Sequence, residues 1–443
     1  MRRQYGRHPI FHSLLPLRVK GPLDMGLLER VLSRIVERHD SLRTRFAMSD
    51  GDLVQRVATS QPIQLAALTL PAGCVAANAL QDCIQAFVAE DFDLESDLML
   101  RARVYTLGDD EHALLVIVHH IVYDGWSMGL LLAEIAKNYR ELALDEAPEE
   151  RGLPIQYADY ADWCARNAES QSAKSSRDYW ARLLAGAPTT PWLPTDRPRP
   201  ETQTWAGACF STRLPVAALS ALETLAAAMS VSIFQVFLGV LAIELRRMSG
   251  RRDVLIGSPA ANRVVPEVEQ LIGLFVNLLP LRFDIDDSRT FAAMLKAIRE
   301  TVLESLEHQG VPFEQIASLA GAAPSSGHHS LVQVVATYAE SPGLVEFVPG
   351  STYAEPISYR YEDGVHFDLT FILRRDVRGL TLDSYYATDL FDATTVEGLV
   401  ARLLDLLDTA VRHDGSMAIE DMIKTTPRSG MPTPKNLRVD QHF

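Results

Sequence analysis

The chain reads as a mixed α/β (α+β) protein of two lobes, and three observations lead there. Both halves interleave amphipathic helical periodicity with short runs rich in β-branched residues, the mixture from which α/β and α+β layers are built. One stretch, residues 188–200 (PTTPWLPTDRPRP), holds five prolines in thirteen residues. Proline neither continues a helix nor donates to a strand ladder, so this stretch reads as an extended linker. The length, 443 residues, allows two or three domains at roughly 150 residues each.

The elements follow in order. Leu27, Leu28, Val31, Leu32, Ile35 and Val36 recur at helical spacing, with Asp24 placed to cap the helix. Residues 113–118 (ALLVIV) form an apolar run of strand length. It leads straight into HHIVYDGWSMG and then into a helix. Met128, Leu131, Leu132, Ile135 and Tyr139 share one face of that helix, and Ser127 is its expected N-cap. In the second half, residues 232–248 read as a helix with Arg246 and Arg247 in its last turn and Gly250 as its stop. DVLIGSP then reads as a strand. The expected division is residues 1–187 as the first lobe, 188–200 as linker and 201–423 as the second lobe. Residues 424–443, rich in proline and basic charge, read as a disordered tail.

Composition narrows the function. Hydrophobic residues are 47% and charged residues 22%, values of a globular chain. The formal charge of −15 argues against a general nucleic-acid or membrane-surface binder, which needs a basic face. Cys74, Cys83, Cys164 and Cys209 form no CxxC pair, so neither a zinc site nor a disulfide framework is expected. A reducing, cytoplasmic setting fits that usage. No run of 18 apolar residues suggests a membrane span.

Two overlapping signals sit at the strand-to-helix junction. GxSxG (Gly125, Ser127, Gly129) has the local context of a nucleophile elbow, and downstream histidines leave a triad open. Five-residue motifs match by chance, no HGGG-type oxyanion motif precedes it, and Ser127 as a plain helix cap is the competing reading. HHxxxDG places His119 and His120 side by side, where strand alternation sends them to opposite faces. A neutral imidazole can accept a proton near pH 7. Asp124 is then an orienting carboxylate, and Gly125 lets a substrate approach the backbone. A satisfied pair of core histidines is the bland alternative, and no metal is expected because partner ligands are missing.

The surrounding residues carry a resemblance. HHIVYDGWS resembles the active-site motif of the condensation domains of nonribosomal peptide synthetases. RHDSLRTRF (Arg38 to Phe46), YADYADW (Tyr157 to Trp163), IGLFVNLLPLR (Ile272 to Arg282), HQGVPFEQI (His308 to Ile316) and LPTDRPRP resemble that family's other motifs, in the right order. Two departures stand out: the family's first motif is missing, and SSGHHSLVQVV (Ser325 to Val335) keeps only a remnant of a late motif. Wax ester synthases and epimerisation domains share HHxxxDG, but the accompanying segments are more similar to condensation domains.

The resemblance implies two chloramphenicol acetyltransferase-like lobes forming a V-shaped pseudo-dimer with a central channel. It implies transfer of an acyl thioester to an amine or alcohol acceptor, giving an amide or an ester. Donor and acceptor carrier proteins would be the partners and would present substrates on phosphopantetheine arms. A small-molecule acceptor is a further option. The chain itself would bind no cofactor, no nucleic acid and no membrane, and would be a monomer. His120 would position the acceptor or take its proton, beside His119, Asp124 and Gly125. Asp124 would pair with Arg282, and Arg43 and Arg38 would support the site. Trp126, Ser127 and Asn277 are expected to line the substrate channel. Arg246, Arg247, Arg251 and Arg252, or the tail, are candidate basic patches for an acidic carrier. The alternatives are a catalytically silent recruitment module and a serine hydrolase using Ser127.

Overall fold

The computed structural model describes residues 9–70, 76–147, 152–341, 343–357, 359 and 364–425. Along the chain come β1 (His12–Lys20), α1 (Met25–Arg38), β2 (Thr44–Ser49), β3 (Asp52–Val57), β4 (Ala67–Thr69) and α2 (Ala76–Val88). Next are β5 (Leu100–Gly108), β6 (Glu111–His119), α3 (Gly125–Ala143), α4 (Tyr157–Asn167), α5 (Gln171–Leu183), β7 (Gly207–Arg213) and α6 (Val216–Met229). Then follow α7 (Ile233–Ser249), β8 (Asp253–Ala260), β9 (Asn277–Asp284), α8 (Phe291–Glu307), α9 (Phe313–Leu319) and β10 (Val334–Glu340). The chain closes with β11 (Val345–Val348), β12 (Thr352–Pro356), β13 (Leu369–Asp376), β14 (Gly379–Ala387), α10 (Ala393–Arg412) and α11 (Ile419–Thr425).

Two compact units result, each with a six-stranded sheet. The first comprises Met1–Glu169, Ala261–Val276 and Pro342–Arg360, and the second the remainder. The first sheet has the order β11-β12-β1-β6-β5-β4, and the second β7-β14-β13-β10-β8-β9. The division differs from the one expected. The break falls after Glu169 because α5 belongs to the second unit, where the fully buried Trp180 donates its indole N–H to the His308 carbonyl at 3.0 Å. Two later segments return to the first unit, one of them adding β12 beside β1. The proline-rich stretch is fastened to the second unit rather than free. Trp192 and Leu193 are buried in its core, Arg197 pairs with Asp392, and Arg199 pairs with Asp368.

Local signals hold where the sequence placed them. Asp24 caps α1, its carboxylate accepting from the Leu27 N–H at 3.0 Å, while Leu28, Val31, Leu32, Ile35 and Val36 are buried. Residues 113–118 are all buried in β6, which pairs antiparallel with β1 and β5 and so lies inside the sheet. A strand covered on both faces needs such an unbroken apolar run. Ser232 caps α7 in a capping box with Gln235, and Gly250 closes it at φ +71°. Arg246, Arg247 and Arg252 pair with Asp287, Glu244 and Asp284, so most of the basic charge expected to attract a carrier is neutralised in place. Lys424 and Thr425 of the expected tail form the end of α11, and residues 426–443, like Cys74, lie outside the described residues. Among the described residues no single helix is long and apolar enough to cross a membrane.

Candidate functional site

The site is built where β6 ends inside the first sheet. His119 is the last strand residue, and His120 opens a single 3-10 turn, His120–Val122, that leads to α3. The change from strand to turn separates the two imidazoles. His119 is 3% exposed, and its Nδ1 accepts the Ile121 N–H at 3.1 Å. Burial, with the His12 and His120 rings adding to it, pushes its pKa down to about 3. His119 is therefore neutral, and it braces the turn. His120 is the less buried of the two, half-buried where His119 is buried.

Asp124 caps α3, a place the sequence had given to Ser127. Its carboxylate is 2% exposed and fully occupied. Oδ1 accepts from the Ser127 N–H at 2.9 Å, the Ser127 hydroxyl at 2.7 Å and Arg263 Nη2 at 3.3 Å. Oδ2 accepts the N–H groups of Phe275 at 2.9 Å and Val276 at 3.2 Å. The partner of Asp124 is thus Arg263, not Arg282. Arg282 forms a two-pronged pair with Asp253 at 2.9 and 2.7 Å and caps the end of α5 through the carbonyls of Leu183 and Ala185.

Arg263 is as buried as its partner. Its Nη1 donates to the carbonyls of Val268 and Leu271, and its guanidinium lies 4.1 Å from the Phe275 ring centre. Burial pulls its pKa down, and Asp124 opposes that pull. Asp124 and Arg263 together fasten the α3 N-terminus to residues 261–276.

The other motif segments of the first unit meet around this pair. The His39 Nδ1 accepts the Ile272 N–H at 3.3 Å, its Nε2 bonds Glu134 at 3.0 Å, and Arg38 reaches the same carboxylate at 3.2 Å. Burial opposes ionisation of Glu134, but His39 and Arg38 outweigh it and hold the carboxyl below its ordinary value. Ser41 donates to the Ile272 carbonyl at 2.6 Å. Tyr157 donates to the Leu274 carbonyl at 2.7 Å, and its hydroxyl is pushed up to about 12 by burial and by the Asp124 charge. A Cβ at Gly273 would lie 2.3 Å from the Tyr157 ring, so only glycine fits there. Arg43 pairs with Asp40 and donates to the Ala58 carbonyl at 2.6 Å, which stiffens the start of β2 rather than touching Asp124.

The expected channel residues separate into three cases. Ser127 is fully buried; its one hydroxyl proton lies between Asp124 Oδ1 at 2.7 Å and the Gly273 carbonyl at 3.0 Å, and its oxygen accepts from the Gly273 N–H and Arg263. Those three residues include no histidine, so Ser127 is a structural linchpin and the nucleophile-elbow reading fails. Asn277 is also buried, clamping the carbonyls of Gln309 and Val311 and the Phe313 N–H in the second unit. Trp126 is 50% exposed, its indole N–H held by the Glu269 carbonyl at 3.0 Å. Gly125 is exposed, and a Cβ there would meet open space, so nothing in the chain itself demands a glycine. In SSGHHSLVQVV, His329 lies between the Phe313 and Phe367 rings and donates to the Ser330 carbonyl, a packing role. Among the described residues no cluster of three His, Cys, Asp or Glu could hold a metal.

Arg263, His39 and Glu134 were not assigned from sequence. His39 stands inside the quoted RHDSLRTRF segment, and Arg263 is the sole arginine of residues 261–276. That isolation in a largely uncharged stretch was the signal available.

Comparison with known proteins bears on this arrangement. The family model described as Condensation domain matches residues 5–427. The chain is 36% identical over 408 residues to the malpibaldin synthetase of Mortierella alpina, covering 91% of this chain and 7% of that protein. It is 34% identical over 414 residues to the phosphinothricin tripeptide synthetase PhsC of Streptomyces viridochromogenes, covering 92% of this chain and 37% of that one. The chain therefore spans a small part of these curated relatives. Among solved structures it matches the X-domain from teicoplanin biosynthesis with a TM-score of 0.82 and 27% identity, over 95% and 94% of the two chains.

Proposed function

The chain belongs to the condensation-domain family, and from that premise we propose that it transfers an acyl group from a carrier-bound thioester to an amine, or to an alcohol. Carrier proteins would bring the substrates on phosphopantetheine arms, and the chain itself would bind no further cofactor. The observation that carries the reading is the division of labour between the two histidines. His119 is buried and spent on the Ile121 N–H, whereas His120 is only half-buried.

The chemistry follows from that placement. Aminolysis of a thioester needs the nitrogen within about 3.5 Å of the carbonyl carbon and a group to take its proton. A positioned imidazole serves at neutral pH and contributes about 10² to 10⁴ in rate. The proton passes to His120 as the C–N bond forms, and the thiolate leaves with the carrier arm. The thioester is already activated, so no serine nucleophile is required. Open space at Gly125 supports close approach of a substrate to the start of α3.

A silent recruitment role is the second reading. A complex of the teicoplanin X-domain with OxyB shows that a structure of this shape can serve as a binding partner. The intact His119, His120, Asp124 and Gly125 favour catalysis here. The test supplies an acyl-loaded carrier and an amine acceptor and follows product by mass spectrometry. Product lost in His120→Ala but kept in Ser127→Ala supports acyl transfer. Equal product from His120→Ala and the wild-type chain overturns it.

A further inference from the structure

His12 stands directly opposite His119 in the β1–β6 ladder. It is buried, and its Nδ1 lies 2.7 Å from the Val88 carbonyl. A carbonyl only accepts, so Nδ1 carries a proton. Val88 is the last residue of α2, and a carbonyl there has no partner inside its helix. On the other ring the order is reversed. His119 Nδ1 accepts from Ile121, so its proton sits on Nε2, which is buried with no bonding partner. The ring centres are 5.7 Å apart at 61°, and Phe92 packs edge-on against both rings at 5.0 and 5.7 Å.

We propose that His12 is a positioning residue for the acyl-transfer site: anchored on Val88, it fixes the ring plane and tautomer of His119, which in turn fixes the turn that carries His120. This rests on the reading of His120 as the working base. The physical argument is that a buried imidazole bound at only one nitrogen can rotate about χ2 and exchange tautomers unless its faces are held. Phe11 stacks on the His119 ring at 6.4 Å, and His12 and Phe92 pack against it at steep angles, so three rings hold it. Donation from the Ile121 N–H requires an unprotonated Nδ1, so a change of tautomer at His119 would release the turn. Burial that keeps His119 neutral also keeps this arrangement intact across the neutral range.

The test uses the whole chain with ring-¹⁵N-labelled histidine. In the wild type, His12 should show a protonated Nδ1 and His119 a single Nε2–H tautomer, with His119 not titrating at its ordinary value. In His12→Phe, His119 should lose its single tautomer. Turnover with an acyl-loaded carrier should fall about tenfold, as displacement of a catalytic group by under an ångström does, with the acceptor KM unchanged. A wild-type spectrum in which His119 titrates normally overturns the proposal without any variant. So does His12→Phe with full turnover and an unaltered His119. If His120→Ala proves fully active, the functional reading has failed; the His119 spectrum of His12→Phe then still decides whether His12 controls that ring.

Discussion

Asp124 and Arg263 face each other at 3.3 Å with both side chains 2% exposed, 139 residues apart in sequence. Taking one member away leaves a buried charge without its partner, which costs about 3–5 kcal/mol. Asp124 caps the helix that follows the turn carrying His120, so fold and site share this one contact.

Arg263→Ala should therefore lower unfolding free energy by about 3–5 kcal/mol and turnover with it. Asp124→Ala should behave alike, whereas His120→Ala should lose turnover at an unchanged melting temperature. Arg282→Ala removes a partly exposed pair with Asp253 and should leave turnover much closer to wild type. Denaturant titration of the four variants beside a turnover assay checks this. Equal losses in Arg263→Ala and Arg282→Ala would contradict it.

Ser127→Ala should cost stability, about 1–3 kcal/mol, because Arg263, Gly273 and Asp124 lose a shared partner. It should not abolish acyl transfer, and the wild-type serine should stay unlabelled by a fluorophosphonate. Stoichiometric labelling at Ser127 is the outcome that would sink this account.

Gly125 and Gly273 should respond in opposite ways. Gly125→Ala meets open space and replaces a helical glycine, so stability should hold or rise by up to about 1 kcal/mol. Turnover should fall if a substrate passes there. Gly273→Ala drives a methyl into the Tyr157 ring and should destabilise by about 1–3 kcal/mol. Melting curves and turnover of both variants separate a functional glycine from a packing one. A destabilised Gly125→Ala would refute the distinction.

His119 gives the acid side of the stability curve a defined slope. Its pKa is about 3 when folded and near 6.5 when unfolded, so below pH 6.5 the unfolded chain binds the extra proton. The stability that goes with a neutral His119 is fully present above pH 6.5. It is lost as pH falls towards 3, at about 1.4 kcal/mol per pH unit. His119→Phe should flatten that slope between pH 6.5 and 4.5, even if it lowers stability overall. An unchanged slope would show that His119 titrates normally in the folded chain.

Much of the architecture was legible because its causes are local. Asp24 and Ser232 stand at the starts of apolar periodicity, where a helix leaves N–H groups to be capped. Residues 113–118 have no polar side chain, which suits only a strand covered on both faces. The junction HHIVYDG was legible too, as were the accompanying segments, of which those in the first unit converge on Asp124. Misreadings arose where one residue could do two jobs. Ser127 and Asp124 can both cap, and only Gly125 and Trp126 separate them. Asp124 took the cap while the Ser127 hydroxyl turned inward to Gly273. The proline-rich stretch has the composition of a linker, yet Trp192 and Leu193 within it are apolar and are buried.

The sequence by itself determined the periodicities, the caps, the buried central strand and the identity of the histidine-bearing turn, since each depends on residues a few positions apart. Tertiary structure alone decided which arginine meets Asp124, which imidazole is spent and which is only half-buried, and where the units divide. Arg263 and Arg282 carry the same charge in neighbouring segments. Only the return of residues 261–276 to the first unit, locked by Ile272, Gly273 and Phe275, brings one of them to the buried carboxylate. A buried charge selects the partner that packing delivers, and spacing along the chain does not encode that choice.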